Sequence, residues 1–440
     1  ESYFGRISLS YLDRYILNVT MRSDGSSRFA PSDRYGYFPS VSLGWNVSKE
    51  SFWKFPQTDL KFRLSYGKTG NQDGIGNYAW QPLMSGGINY GNNSGMAVTS
   101  MGNNKLTWET ADQYDFGFDL GFWNGKLNMI ADIYLKNTNN LLYSMPLHGT
   151  SGFTSITSNI GSMRNYGVEF SINGHLNIGK VNWTSSFNIS HNKNKLTKLL
   201  GDDLLPIGSN RALKVGEELG AFYLFQMDGL YQYDGEVPQP LYDLGVRAGD
   251  VKYHDADNNG IINDNDRVLT GSSNPDFFGG WNNTFKYKGF QLDVFFTYMY
   301  GNDVYAEWAV TATRPGYRMA ITEDVAKNRW TAPGSSDKYP RAVNTLCGHN
   351  SKNSTRFLED GSFIRLRSLT FSYTFPQVML QKICLKGLRL YVQGDNLLLF
   401  SKYSGWDPEV SKNMDPQYFG VDLYGVPPSR SVNFGINLSF

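Results

Sequence analysis

Long hydrophobic runs are missing from this chain of 440 residues. No stretch reaches the roughly 18 apolar residues that a membrane-crossing helix needs. Charge is also scarce. Asp, Glu, Lys and Arg make up 18% of the residues and the net charge is +1, so no nucleic-acid partner is implied. There are only two cysteines, Cys347 and Cys384, too few for a zinc site by spacing. The five histidines, His148, His175, His191, His254 and His349, lie in no nucleophile elbow and no His-Glu-x-x-His helix. Neither a phosphate-cradling nor a dinucleotide-binding glycine loop occurs. Catalysis is therefore not expected, and no catalytic residue is assigned. No signal-peptide pattern is found, and Glu1 opens directly into strand-like sequence.

Aromatics, by contrast, are abundant, with 28 Tyr and 28 Phe. The last ten residues set the pattern. Val432, Phe434, Ile436, Leu438 and Phe440 fall on one strand face, and Ser431, Asn433, Gly435, Asn437 and Ser439 on the other. In a soluble sandwich the apolar face would meet a second sheet. In a membrane barrel it would meet lipid, with the polar face lining a wet lumen.

The alternation recurs along the chain. It appears at Ile7–Tyr11, Tyr15–Arg22, Tyr37–Val47 and Leu60–Tyr66. Tyr114–Phe122 and Leu127–Lys136 flank Asn124-Gly125, a strong hairpin signal. Val168–Asn173, Trp183–Ile189, Thr284–Lys288, Phe290–Tyr300, Ile364–Phe375 and Leu388–Gln393 follow. Short turns at Asp13, Asn124, Gly179 and Gly289 alternate with long polar loops at 23–34, 67–106, 144–160, 195–275, 304–360 and 400–429. Outer-membrane barrels sort their connections this way, whereas a soluble sandwich has no reason to. The expected fold is an all-β, transmembrane antiparallel barrel, with about 13 strands present. In that topology Cys347 lies in an outer loop and Cys384 in a short connection on the opposite side. An apolar band about 25 Å tall separates them, far beyond the roughly 7 Å limit for a disulfide, so both are expected unpaired.

Several segments carry a family resemblance. They are Tyr3-Phe4-Gly5-Arg6, Asp13-Arg14-Tyr15, the run Arg22–Phe29, Tyr37-Phe38-Pro39-Ser40, the run Ser65–Asn71, Asn274-Pro275-Asp276-Phe277, Tyr339-Pro340-Arg341 and Gly394-Asp395-Asn396-Leu397. In this order they resemble the SusC/RagA family of TonB-dependent outer-membrane transporters of Bacteroidetes-type bacteria. The resemblance implies a roughly 22-stranded barrel with an N-terminal plug. It further implies a SusD-like surface lipoprotein as partner, TonB as the energising contact, and import of an oligosaccharide or peptide through the outer membrane. Residues 1–440 match the C-terminal portion of such a barrel; the plug, the TonB-contacting segment and the first strands are expected outside this stretch. Two other readings are a soluble β-rich carbohydrate-binding protein and an outer-membrane barrel hydrolase.

One local motif stands apart. Asp255, Asp257 and Asn259 occupy positions 1, 3 and 5 of a calcium-loop register, followed by Gly260, the Ile261 carbonyl and Asp266 at position 12. Calcium wants six to eight hard oxygens, and this spacing wraps oxygens around one point, so a structural Ca²⁺ is expected. The competing reading is an Asx-rich turn closed by side-chain-to-backbone bonds. For substrate contact, Trp80, Tyr90, Trp308, Trp330 and Trp406, together with Tyr418, stand in long loops. Their flat faces suit sugars or peptide side chains, and the alternatives are an interfacial girdle or loop packing.

Overall fold

The computed structural model describes residues 1–201, 204–316, 319–344, 348–380, 385–412 and 418–440. Cys347 and Cys384 lie outside the described residues. The chain forms two compact units, 1–203 with 214–217, and 204–213 with 218–440. No described helix is long and apolar enough to cross a membrane.

The first unit holds eight long strands: β1 (Ser2–Tyr11), β2 (Tyr15–Gly25), β3 (Tyr35–Asn46), β4 (Thr58–Asn71), β5 (Glu109–Phe122), β6 (Leu127–Asn139), β7 (Gly161–Ile178) and β8 (Val181–Leu199). Each pairs antiparallel with the next. The register turns the alternation into rows. Leu9, Leu17, Leu43, Leu64, Phe116, Ile133 and Val168 stand side by side across seven strands. One residue along, the row reads Asn18, Ser42, Ser65, Asp115, Tyr134 and Gly167. A one-residue slip would exchange the two faces, so the pattern itself fixes the pairing.

On the polar face, Arg63 of β4 reaches across β5. It meets Asp119 at 3.0 Å and Asp132 of β6 at 2.8 Å. The crossing needs Gly117, where an added Cβ would collide with Asp132 Oδ1 and lie 2.7 Å from Arg63 Nη2.

The second unit holds five long strands: β9 (Phe277–Tyr287), β10 (Phe290–Tyr300), β11 (Phe363–Thr374), β12 (Gly387–Ser401) and β13 (Ser431–Ser439), again antiparallel in order. Phe285, Leu292, Phe371, Val392 and Phe434 form an apolar row, and Thr284, Asp293, Thr370, Gln393 and Asn433 the polar row beside it.

Several strands outrun their sequence signal. The alternation in β8 fades after Ile189, yet pairing continues to Leu199. Residues 191–195 read His-Asn-Lys-Asn-Lys, polar on both faces. A strand that leaves an apolar belt loses its amphipathic pattern while keeping its ladder. For the same reason β4 runs through Gly67–Asn71, which the sequence gives to a loop.

The long connections are also more ordered than their polarity suggests. In the first unit, Phe29, Phe38, Ile75, Leu106 and Trp108 form a small core, with the Phe29 and Trp108 rings 4.9 Å apart. In the second unit the connections carry short strands, among them Leu204–Ile207, Ala221–Phe225, Arg267–Ser272, Asp303–Ala306 and Leu358–Asp360. One core gathers Phe222, Leu224, Val304, Tyr305, Phe357 and Val421. A second gathers Phe225, Leu230, Leu241, Val251, Tyr253 and Ile262.

Two arginines, buried Arg211 and half-buried Arg356, tie these segments together through carbonyls. Arg211 donates to Gly220 O (2.8 Å), Ser273 Oγ (3.2 Å) and Phe419 O. Arg356 donates to Thr313 O (2.6 Å) and Asn350 O (3.1 Å). Burial lowers the pKa of each to about 10, so both stay charged at neutral pH.

Candidate metal loop and aromatic contacts

The strand Val251–Tyr253 pairs with Met227–Leu230 and delivers the chain into the acidic loop. Asn258 and Gly260 then adopt positive φ, 58° and 77°, and the backbone curls around the first carboxylates. Asn259 N–H donates to Asp255 Oδ1 and to Asp257 Oδ1, both at 3.2 Å. Gly260 N–H donates to Asp255 Oδ2 at 2.7 Å, and Ile261 N–H to Asn259 Oδ1 at 2.7 Å. Ile262 then drops into the apolar cluster of Val251 and Tyr253 and anchors the far side of the loop.

The return is a 3₁₀ turn, Asp264–Asp266, capped by Asn263. Asp266 is 0% exposed. Its Oδ2 accepts from Asn263 N (2.8 Å) and its Oδ1 from Ala256 N (2.9 Å), so one carboxylate ties the start of the loop to its end. The carboxylates of Asp255, Asp257 and Asp266 place one oxygen each within 4.8 Å of the others.

Three of the sequence-expected ligands, the carboxylates of Asp255, Asp257 and Asp266, therefore lie close together. Burial pushes the Asp255 pKa up, but hydrogen bonds from Gly260 and Asn259 outweigh it and hold the carboxyl below the usual carboxylate range. Asp264 does not join the three: its carboxylate pairs with Arg267 at 3.0 Å. All donors in the loop are hard oxygens, which fits Ca²⁺ or Mg²⁺ and not a soft metal. The same bonds also satisfy the Asx-turn reading, since each Asp oxygen named above already accepts an N–H. The pairing of Asn263 with Asp266 and the anchoring by Ile262 went unread in the sequence. The first was visible as an Asn-x-x-Asp spacing at a turn start.

The five candidate aromatics separate into two kinds. Trp308 donates from Nε1 to Tyr403 Oη (3.0 Å) and packs on the core of Tyr305. Trp330 donates to Gln232 Oε1 (3.1 Å) and covers Gly249, where a Cβ would strike its ring. Trp80 is half-buried. Trp308 and Trp330 are thus held by partners in the long loops. Tyr90 is 90% exposed and Trp406 is 74% exposed.

Trp406 is presented by a fixed frame. Ser404 donates to Glu359 (2.7 Å), and the Tyr403 hydroxyl donates to Asp422 (2.7 Å). Asp407 pairs with buried Arg365 (2.6 Å), and Glu409 bridges Arg365 (2.9 Å) and Arg367 (2.8 Å). Tyr418 packs partly buried against the core of Val421.

Comparison with known proteins gives a consistent result. The family model described as TonB dependent receptor-like, β-barrel, matches residues 1–397. TonB-dependent receptor P3 of Formosa agariphila is 34% identical over 461 residues, covering 100% of this chain and 45% of the relative. TonB-dependent receptor SusC of Bacteroides thetaiotaomicron is 31% identical over 470 residues, covering 100% of this chain and 43% of the relative. The structure of the RagAB peptide transporter superposes with a TM-score of 0.86 at 27% identity, covering 100% of this chain and 47% of that one. The chain spans about half the length of the curated relatives it matches.

Proposed function

This chain belongs to the TonB dependent receptor-like β-barrel family of the outer membrane, and on that premise we propose that it forms the C-terminal part of the barrel wall of a nutrient importer. The cargo is an oligomer, an oligosaccharide or a peptide. The partners are a SusD-like surface lipoprotein and TonB, the latter reached through a part of the protein beyond residues 1–440. The carrying observation is the register. Seven strands of the first unit share one apolar row and the second unit repeats the arrangement in five, the wall needed between lipid and a wet lumen. The likenesses to SusC and to RagAB support the choice of partner and the oligomeric cargo.

Among the aromatics, Trp406 and Tyr90 are the substrate contacts in this reading. Their rings are exposed and can stack, while Trp308 and Trp330 are engaged by partners within the loops. Uptake of labelled oligosaccharides and peptides by the source cells tests the function. Inactivating the gene should abolish uptake of one class, and inactivating TonB should have the same effect. Undiminished uptake in either strain would overturn the proposal.

For the acidic loop the reading is a structural Ca²⁺ held by Asp255, Asp257, Asn259, the Ile261 carbonyl and Asp266. Three clustered carboxylates repel one another unless a cation offsets them. Affinity near 10⁻⁴–10⁻³ M, on the order of extracellular calcium modules, is expected. In the intact transporter, added Ca²⁺ should slow protease nicking within 204–271, EDTA should restore it, and Asp257→Ala should remove the difference. Nicking indifferent to Ca²⁺ would leave the Asx turn alone.

A further inference from the structure

We propose that Asn259 is a self-modification site, where the side-chain amide is lost as ammonia in a fold-assisted reaction with the Gly260 nitrogen. The chain contains three Asn-Gly pairs, at 124, 173 and 259. They share one dipeptide and differ in what surrounds it. Asn173 and Gly174 lie within β7, paired on both sides to β6 and β8, and Asn173 Oδ1 accepts from Ser186 Oγ at 2.6 Å. That ladder holds the backbone extended and immobile. Asn124 and Gly125 form the exposed hairpin tip, both at positive φ, 57° and 80°. This pair carries the same dipeptide in the open and serves as the reference.

At Asn259 each reacting atom has a neighbour of the right kind. The Ile261 N–H donates to the side-chain carbonyl, Asn259 Oδ1, at 2.7 Å. A side-chain carbonyl held by the N–H two residues on curls back over the peptide between them, here that of Gly260. The same N–H polarises the carbonyl and faces the oxygen on which negative charge gathers when a nucleophile adds. That nucleophile is the Gly260 nitrogen. Its N–H donates to Asp255 Oδ2 at 2.7 Å, which draws electron density onto the nitrogen. On the other side, Asn259 Nδ2 donates to Asp257 Oδ2 at 2.8 Å, so the leaving amide is held and cannot swing into water. Gly260 itself has φ 77° and no side chain to crowd the approach.

The Gly260 nitrogen adds to the side-chain carbonyl carbon of Asn259. A nitrogen–carbon bond forms, the bond from that carbon to Nδ2 breaks, and the Gly260 amide proton departs with the amide as ammonia. The product is a cyclic imide. Water then opens it at one carbonyl or the other, to an aspartate or to an isoaspartyl linkage at position 259. The first adds a negative charge beside Asp255, Asp257 and Asp266; the second lengthens the loop backbone by one atom. Orientation of the reacting groups is what the loop supplies.

The reaction uses the loop without a cation, so ageing in EDTA keeps the test independent of the calcium reading. Full-length transporter in detergent is aged, its assembly is followed by heat-modifiable mobility, and peptide mass spectrometry reads the exchange of amide for carboxyl at 124, 173 and 259 in one digest. Conversion at 259 should outrun that at 124 about tenfold, below the usual worth of well-positioned groups because the loop is open to water. Unfolding in urea should bring the two rates together. Asp255→Asn and Asp257→Asn keep the size of each side chain, and each should remove most of the difference. Equal conversion at 259 and 124 in the folded protein would overturn the proposal. So would a rate at 259 that urea leaves unchanged, or full speed in both Asn variants.

Discussion

Arginine at Phe434 should prevent assembly of a heat-modifiable barrel, and arginine at Asn433 should not. The two are neighbours near the middle of β13. Phe434 stands beside Val392 at the end of the apolar row and is 82% exposed. A guanidinium there would sit in hydrocarbon, at a cost of about 2–4 kcal/mol near the bilayer midplane. Asn433 stands beside Gln393 on the polar row and already donates to Asp395 Oδ2 at 3.2 Å. An arginine at 433 would face water and a carboxylate. Full-length protein extracted from membranes and run with and without heating separates the cases. Equal assembly of both variants would remove the lipid-facing assignment of β13.

Asp250→Ala should loosen the connections of the second unit while leaving the barrel strands intact. Asp250 is buried, and its carboxylate is a hub. It accepts from Arg341 Nε and Nη2, both at 2.9 Å, from Asn350 Nδ2 at 2.8 Å and from Arg247 N at 2.9 Å. Asn350 in turn accepts from Val251 N at 2.8 Å, the first residue of the strand that leads into the acidic loop. Removing the carboxylate takes two hydrogen bonds from the Arg341 guanidinium and leaves the buried Asn350 amide without this acceptor. Breaking one side of a buried pair costs about 3–5 kcal/mol; the value here should fall at the low end, because the Arg341 side chain is 29% exposed. Faster nicking within 204–275 and 319–344, with unchanged heat-modifiable mobility, is the expected result. An unchanged nicking pattern would mean that Asp250 does not hold these segments.

The fold was legible where neighbours in sequence share one environment. Ser431–Phe440 and the strands around Asn124-Gly125 lie within the apolar belt, so their side chains record its two faces directly. Legibility stopped where that belt stops: 191–199 and 67–71 form ladder with no apolar face to show. The packed connections of the second unit were hidden for a different reason. Arg211 reaches Phe419 and Tyr305 pairs beside Val421, contacts between segments far apart in the chain that leave no local periodicity. The acidic loop could be read because its three converging carboxylates come from one short segment, 255–266. Trp308 and Trp330 could not be told from Trp406, since all three stand in polar loops and only tertiary partners separate a packed indole from a presented one.

A wall with lipid on one face and water on the other is tested most directly by consecutive spin labels along β6. With single cysteine labels at 129–135 in the reconstituted full-length protein, Met129, Ala131, Ile133 and Leu135 should collide with oxygen dissolved in the bilayer. Ile130, Asp132 and Tyr134 should respond instead to a water-soluble relaxing agent. An accessibility trace without this two-residue period, or one in which both faces meet water, would contradict the account.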